Sequence, residues 1–236
     1  MDAAGYTTLN RQSGLMREMG VVANNIANAS TTGFRREGVV FSEFVAALDE
    51  DPSLSMAHAS GRHVDLAQAA VSQTGGQFDF AIQGDGFFLI ETPQGDRLTR
   101  AGSFIPSAEG ELVTPDGFRL LDAGGAPVFI PPDAKAVALA SDGTLSANGD
   151  PIAQIGLWRP TDPLALTHQS GTLFAATDLE PVEGATILQG MLEDSNVEPV
   201  SEIARMIEVQ RAYELGQKFL DAEDQRVRGV IQTLGR

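Results

Sequence analysis

The sequence predicts an α+β fold in which long N- and C-terminal helices pack as a coiled-coil-like pair, with an antiparallel all-β domain inserted between them. Three observations lead to this prediction. Apolar residues follow a heptad rhythm near the C-terminus, a matching rhythm occurs near the N-terminus, and turn-forming dipeptides recur throughout the middle. We divide the chain into residues 1–34 (N-terminal helix and turn), 35–62 (arm or linker), 63–186 (β domain) and 187–236 (C-terminal helix region).

The C-terminal helix is predicted from Val200 to Leu234, and Pro199 stands at the first-turn position that proline favours. Apolar residues spaced alternately three and four apart are typical of a helix that packs one face against other helices. The positions with this spacing, called the predicted seam below, are Met206, Val209, Tyr213, Gly216, Leu220, Glu223, Val227, Val230 and Leu234, and all except Gly216 and Glu223 are apolar. Pairs of opposite charge such as Glu214 and Lys218 support the same helix on its other faces.

The N-terminal helix is predicted from Ala3 to about Asn28, with Asp2 as its cap. Its main apolar row consists of Leu15, Met19, Val22 and Ile26. A neighbouring row contains Tyr6, Leu9, Ser13, Met16, Gly20 and Ala23. Each helical glycine costs about 1 kcal/mol relative to alanine. We therefore expect this helix to need a partner, and only the C-terminal helix has a matching rhythm.

The next segment begins with a helix stop at residues 28–34, built from small polar residues and a glycine. Asn24, Asn25 and Asn28 cluster before it, and two hypotheses stay open: the amides bond to their own backbone, or they bond between subunits. The apolar residues that follow indicate either an extended arm or a short second helix. From Asp49 to about Gly61 the composition favours a linker or mobile loop.

The middle of the chain is punctuated by turn dipeptides that separate short runs of strand-forming residues. The dipeptides end in Gly86, Gly95, Gly110, Gly117, Gly125, Gly143 and Gly149. The predicted strands include Phe78 to Ile82, Phe87 to Glu91, Glu111 to Thr114, Phe118 to Leu121, Val128 to Ile130 and Ile152 to Trp158. Prolines in this region fit loops and sheet edges.

Composition excludes several classes of function. The chain has 16 basic and 32 acidic residues, a net charge of −16, which argues against nucleic-acid binding. No apolar run approaches the ~18 residues of a membrane span, so we expect no membrane insertion. The start of the sequence lacks the pattern of a cleaved signal peptide. Cysteine is absent, which excludes disulfides and thiolate chemistry.

No pattern in the sequence indicates catalysis, a metal site or a cofactor. The histidines, His58, His63 and His168, show no metal-ligand spacing. Asp85-Gly86 and Asp142-Gly143 lack the alternating ligands of a calcium loop and are interpreted as hairpin turns. We therefore expect a protein that is not an enzyme and holds no metal or cofactor.

Three blocks of sequence resemble the axial proteins of the bacterial flagellum, the family of rod and hook proteins. The first, Val22 to Phe34, is similar to the family's ANN-x-AN segment and its following Gly-Phe turn. The second comprises Asp79 to Phe88 and Thr99 to Phe104, which resemble the runs AI-x-GDGFF and TR-x-GSF. The third, Ser195 to Glu214, resembles the C-terminal signature. The proximal-rod branch is the most similar, with the distal-rod branch as its nearest rival.

This resemblance implies a structural subunit of the basal-body rod, which polymerises with itself and related rod proteins to transmit torque. It further implies passage through the flagellar type III export apparatus without a cleaved signal peptide, and a place in the periplasmic part of the rod. The expected assembly interface comprises Leu15, Met19, Val22, Asn24, Asn25, Ile26, Asn28, Met206, Val209, Tyr213, Leu220, Val227, Val230 and Leu234. Two other readings remain open: a distal-rod subunit, and a β-domain module that binds cell-wall material.

Overall fold

The structure is a computed structural model that describes residues 3–46 and 54–234. Two long helices, α1 (Ala3–Ala27) and α2 (Pro199–Leu234), stand near the two ends of the described chain. Both begin and end within about one residue of the predicted positions. Antiparallel strands fill most of the chain between them, so the predicted α+β composition is confirmed; Asp2, the predicted cap of α1, lies outside the described residues.

The described residues form strands of two to eleven residues. In chain order they are β1 (Glu37–Ala46), β2 (Leu54–Val64), β3 (Val71–Gln73), β4 (Phe80–Gln83), β5 (Phe87–Thr92), β6 (Gly95–Thr99), β7 (Ile105–Pro106), β8 (Leu112–Val113), β9 (Arg119–Leu120), β10 (Val137–Leu139), β11 (Thr144–Ala147), β12 (Asp150–Gln154), β13 (Leu157–Pro160), β14 (Thr167–His168), β15 (Leu173–Ala175), β16 (Leu179–Pro181), β17 (Thr186–Gln189) and β18 (Met191–Glu193). A short 3₁₀ helix, Pro163–Ala165, precedes β14.

The largest sheet is antiparallel and has the order β14-β15-β6-β5-β9-β8-β7, with β13 pairing to β5 and β16. A second sheet has the order β10-β11-β12. Two pairs join distant parts of the chain, since β4 pairs with β17 and β3 with β18. The segment beyond residue 186 is therefore held by strands that lie more than a hundred residues earlier.

Residues 87–90 of strand β5 are buried on both faces, which explains why these four residues are all apolar. Alternate side chains of a strand point to opposite faces. Phe88 and Ile90 belong to one apolar cluster, which includes Phe80, Leu112 and Leu145. Phe87 and Leu89 belong to a second cluster on the other face.

The turn dipeptides predict the loops well. All seven of their glycines adopt positive φ, between 83° and 107°, a region that favours glycine. Strand boundaries are predicted less well. The run Val128 to Ile130 contributes one isolated bridge, at Phe129, and the run Ile152 to Trp158 is divided between β12 and β13.

The arm after α1 is extended, not helical, because β1 and β2 form a two-stranded sheet. The linker expected from Asp49 to about Gly61 is wrong for residues 54–61, which belong to β2. Its remaining residues, 49–53, lie outside the described part of the chain.

The described residues divide into two compact units. The first contains residues 3–27, 37–46, 54–63 and 198–234, which include both long helices and the two-stranded sheet. The second contains residues 28–36 and 64–197, which include the two larger sheets. Neither α1 nor α2 is long and apolar enough to cross a membrane.

Candidate assembly interface

Helices α1 and α2 lie against each other in the first unit and run antiparallel. Three side-chain contacts establish this direction. Gln12 Nε2 donates to the Tyr213 carbonyl oxygen (2.9 Å), Arg205 Nε donates to Glu18 Oε1 (2.7 Å), and Asn25 Nδ2 donates to Glu202 Oε2 (3.1 Å). Residue numbers rise along α1 while those of its partners fall along α2.

The first two thirds of the predicted seam are covered within the chain. Val209 is only 2% exposed, and Met206, Tyr213, Gly216, Leu220 and Glu223 are half-buried. The last part behaves differently, since Val227 and Val230 are exposed. Because Val209 is buried within the chain, we expect a charge at this position to destabilise the isolated protein. A helix without a partner would leave Val209 exposed and would tolerate the charge.

Gly216 has a steric role at its seam position. A Cβ atom there would lie 2.2 Å from Gln12 Nε2. Because the glycine leaves this space open, the Gln12 side chain reaches the Tyr213 carbonyl of α2.

The main predicted row of α1 also faces inward. Leu15 and Val22 are buried, and Met19 and Ile26 are half-buried. The neighbouring row is exposed at Leu9, Ser13, Met16, Gly20 and Ala23, and nothing is described of the Tyr6 side chain.

Sequence reasoning missed the polar residues that hold the two helices together. Gln12, Glu18 and Glu202 are buried although they interrupt or border the apolar rows. Their hydrogen bonds cross between helices, so only the structure reveals their partners. The hydrogen bond that Arg205 donates to the Glu18 carboxylate raises the pKa of Arg205.

Asn25 fastens three elements of the first unit. It is 1% exposed, and its Oδ1 accepts from the Glu37 backbone N–H (3.0 Å) at the start of β1. Its Nδ2 donates to the Glu37 carbonyl oxygen (2.9 Å) as well as to Glu202 of α2. Asn28, by contrast, bonds locally, since its Oδ1 accepts from the Thr31 hydroxyl (3.2 Å). Asn24 is half-buried.

An apolar stripe remains exposed on the other side of α2. It consists of Val200, Ile203 and Ile207. Leu215 and Phe219 are also exposed, but they line a groove together with Thr8, Arg11 and Leu15 of α1. Ile207 stands two residues before Val209, about 200° around the helix, so this stripe points away from the side that α1 covers. Large exposed apolar surfaces of this kind mark interaction sites.

The second unit contains a buried cluster of two arginines around one carboxylate, Arg35, Arg100 and Glu193. Arg35 Nη2 lies 2.8 Å from Glu193 Oε1, and Arg100 Nη1 donates to Glu193 Oε2 (3.0 Å). The Ala69 backbone N–H also donates to Glu193 Oε1 (2.9 Å). Burial lowers the pKa of Arg100 to about 10 and lowers that of Arg35 as well, while the charge of Glu193 opposes both shifts.

This cluster lies where the three family-like blocks of sequence meet. Arg35 directly follows the first block, Arg100 belongs to the second, and Glu193 precedes the third. Gly33 packs so closely on the second block that a Cβ atom would lie 2.2 Å from the Ala101 backbone nitrogen. Asn196, in the third block, accepts from the Arg36 backbone N–H (2.6 Å) and donates to the Asp65 and Ala67 carbonyls (3.0 Å each).

The contacts of these buried charged residues attach separate segments of the chain to one another. Within residues 3–46 and 54–234, no three His, Cys, Asp or Glu side chains are grouped to hold a metal ion. The buried arginines are engaged by backbone carbonyls and by Glu193, with Arg100 also donating to the Ile82 and Gly84 oxygens. Each charged group fastens one chain segment to another.

Comparison with family models gives three matches along the chain. Residues 6–35 match a family described as flagella basal body rod protein, and residues 81–147 match the flagellar hook protein FlgE/F/G D1 domain. Residues 188–233 match the flagellar basal body rod FlgEFG protein C-terminal family. The matches occur in the order of the three sequence blocks.

Curated relatives cover the chain from end to end. A flagellar basal-body rod protein FlgF of Caulobacter vibrioides is 40% identical over 243 residues, which span 100% of this chain and 99% of the relative. One of the same name from Mesorhizobium japonicum is 38% identical over 98% of this chain and 97% of the relative. A flagellar basal-body rod protein FlgG of Bacillus subtilis is 30% identical over 96% of this chain and 97% of the relative.

Proposed function

The chain belongs to the flagellar basal-body rod protein family, and we infer that it is a structural subunit of the proximal rod. The observation that carries this inference is the full-length similarity to relatives named FlgF, at 33–40% identity. Such a protein is not an enzyme, and its location is the flagellar basal body. It assembles there with other components of the rod.

The antiparallel contact of α1 and α2 supports the proposal of a coiled-coil-like axial pair. Heptad spacing, the burial of Val209 and a glycine, Gly216, in close contact with the facing helix are features that fit such a pair. In this proposal the chain between the helices forms an inserted β domain. The proposed boundaries between the N-terminal helix, the arm, the β domain and the C-terminal helix region are at residues 34, 62 and 186.

The expected interface residues take two roles in this proposal. Leu15, Val22, Asn25 and Val209 are buried within the chain and shape the helix pair. Val227 and Val230 are exposed and face neighbouring subunits, together with the outer stripe of α2. A contact between two different surfaces, repeated from subunit to subunit, produces an open helical assembly.

Export through the flagellar type III apparatus, without a cleaved signal peptide, completes the proposal. The absence of cysteine supports it, because no disulfide can lock the chain before it has crossed the membrane. The periplasmic part of the rod is the proposed destination.

Two alternatives carry less support. A distal-rod subunit belongs to the same family, but the relatives named FlgG are less similar, at 29–32% identity, than those named FlgF. A module that binds cell-wall material has no observation in its favour.

The test uses cells that lack their own copy of the gene and carry a tagged copy. We expect motility to depend on the tagged chain and the chain to co-purify with basal bodies stripped of membrane. Normal swimming without the gene, combined with basal bodies free of the tagged chain, would contradict the proposal.

A further inference from the structure

A pocket of about 240 Å³ opens beside the buried arginine cluster of the second unit. All the residues that line it belong to that unit. They include both arginines of the cluster, Arg35 and Arg100, together with apolar and acidic side chains. Pockets that hold drug-sized ligands usually measure about 300 to 1,000 Å³, so this pocket fits a smaller molecule.

The fully buried side chains at this pocket carry one positive charge more than they can pair. The side chains of Arg35 and Arg100 are 1% and 4% exposed, and they share the single buried carboxylate of Glu193. Burial lowers the pKa of Arg100, and the charge of Arg35 lowers it further. Buried charges are normally paired, because their transfer from water into a protein interior is costly. A negative charge in the pocket would balance the cluster.

Each of the two arginines also keeps one N–H group without an acceptor. The Nε atoms of Arg35 and Arg100 are buried and have no hydrogen-bond partner, although other atoms of both guanidinium groups donate to backbone carbonyls. A buried donor without an acceptor is costly, and in a native structure it indicates a missing partner. A carboxylate suits a guanidinium group as a partner, because its two oxygens lie in one plane and both accept hydrogen bonds.

Two further carboxylates act on the arginines from less buried positions. Asp85 lines the pocket and is exposed, whereas Asp65 is half-buried and stands outside the lining. Each acts on its arginine less strongly than Glu193 does. Because water and salt screen exposed charges far more than buried ones, Asp85 should reduce the affinity of the pocket for an anion without abolishing it.

The remaining wall of the pocket is largely apolar. The Phe87 ring lies against Arg100, with 5.6 Å between the Arg100 Cζ and the ring centroid. Leu66, Pro160 and Pro163 add further apolar surface. A ligand that combines a negative charge with an apolar part can use both kinds of wall, whereas a fully hydrated inorganic ion uses only one.

We propose that this pocket binds a small organic carboxylate, whose charged end lies against Arg35 and Arg100 and whose apolar part packs on Phe87 and Leu66. The observation that carries the inference is a pair of buried guanidinium groups that line a pocket, share one carboxylate and each keep an unpartnered N–H. Binding stabilises the second unit, since the ligand binds only the folded chain. The inference goes beyond the proposed function and does not depend on the place of the chain in the rod.

The experiment compares two probes, benzoate and benzamide, on the purified full-length chain. The probes share one ring, but only benzoate carries a carboxylate. Calorimetry measures the Kd of each at constant ionic strength, and we expect benzoate to bind roughly tenfold more tightly than benzamide. Benzoate should also shift the Nε–H nuclear magnetic resonance signals of Arg35 and Arg100. Equal dissociation constants, or unmoved signals of both arginines, would overturn the inference and leave the proposed function intact.

Two variants at the pocket and one matched control locate the binding. Asp85→Asn removes an opposing charge from the exposed lining and should tighten benzoate by about threefold or more, with benzamide unchanged. Asp116→Asn removes the same charge from an exposed turn outside the lining and should alter neither probe. Leu66→Glu adds a carboxylate to the wall and should weaken benzoate by about tenfold. An unchanged benzoate affinity in Asp85→Asn would overturn the inference whether or not Leu66→Glu folds.

Discussion

The amide of Asn25 donates a hydrogen bond to the carboxylate of Glu202 at 3.1 Å, although the two residues stand 177 positions apart in the sequence. Both side chains are 1% exposed. The same amide group exchanges two further bonds with the backbone of Glu37. A single asparagine thus joins the end of α1, the start of α2 and the first strand of the arm.

Replacement of Asn25 should destabilise the helical unit. Asn25→Ala removes both backbone bonds of Glu37 from a buried site, and we expect a loss of roughly 3 kcal/mol in the free energy of unfolding. Circular dichroism at 222 nm measures it, since both long helices belong to this unit. A change below about 0.5 kcal/mol, which is typical of surface substitutions, would contradict the prediction.

Asn25→Asp should add a pH dependence that the alanine variant lacks. The new carboxyl group faces the Glu37 carbonyl and the Glu202 carboxylate, so its pKa in the folded chain rises above the unfolded value of about 3.9. The unfolded chain then binds fewer protons than the folded one, and stability falls as pH rises above about 4. Melts at pH 4.5 and pH 7 should therefore show a larger deficit at pH 7 for Asn25→Asp and an equal deficit for Asn25→Ala.

Glu193→Gln should be far more harmful than the matching change in an exposed ion pair. It leaves two buried guanidinium groups without their shared carboxylate, which costs about 3 to 5 kcal/mol. Glu180→Gln, which breaks the exposed pair with Arg159, should cost at most about 1 kcal/mol. Fluorescence of Trp158, the single tryptophan, reports on the second unit that contains both pairs. Similar losses from the two variants would show that the cluster has no special role.

Substitution of two glycines by alanine should distinguish the cost of a steric clash from the cost of a positive φ angle. Gly33 and Gly117 both have positive φ, 70° and 86°, but only Gly33 has backbone atoms within 3 Å of an added Cβ. Gly117→Ala should cost about 1 to 2 kcal/mol for its conformation alone. Gly33→Ala should cost at least about 3 kcal/mol, because the chain at Arg100 and Ala101 cannot move aside cheaply. Equal effects in urea titrations followed by Trp158 would argue against the close packing of the first and second blocks.

Two aspartates on the predicted seam should behave oppositely in the purified chain. Val209→Asp buries an unpaired charge and should reduce helicity and lower stability by about 3 kcal/mol or more. Val227→Asp lies in exposed surroundings and should change stability by less than about 0.5 kcal/mol. Only in the rod should Val227→Asp be harmful, with loss of incorporation and motility. Gln225→Asp is the matched control and should swim normally.

The sequence predicted the elements whose signal is local. Heptad spacing located α1 and α2, and the seven turn glycines located the loops of the β domain. It could not predict the partners of Gln12, Glu18 or Asn25, because nothing near these residues in the chain marks a contact that lies 177 to 201 positions away. The linker predicted from composition was also wrong at residues 54–61. These small and polar residues form part of strand β2 because β1 pairs with it.

The antiparallel pairing of α1 and α2 also affects the order in which parts of the chain can fold during synthesis. Gln12 contacts a residue 201 positions later, and Glu18 one 187 positions later, so α1 lacks its helical partner until nearly the whole chain has been synthesised. Loop closure over such a separation is slow compared with local folding. Many proteins fold from the N-terminus onward as they emerge, but here the contacts of the first helix with α2 form only after α2 has been made. Its glycines lower its intrinsic stability as a helix, so we expect the helix to form stably only when α2 is present to pack against it.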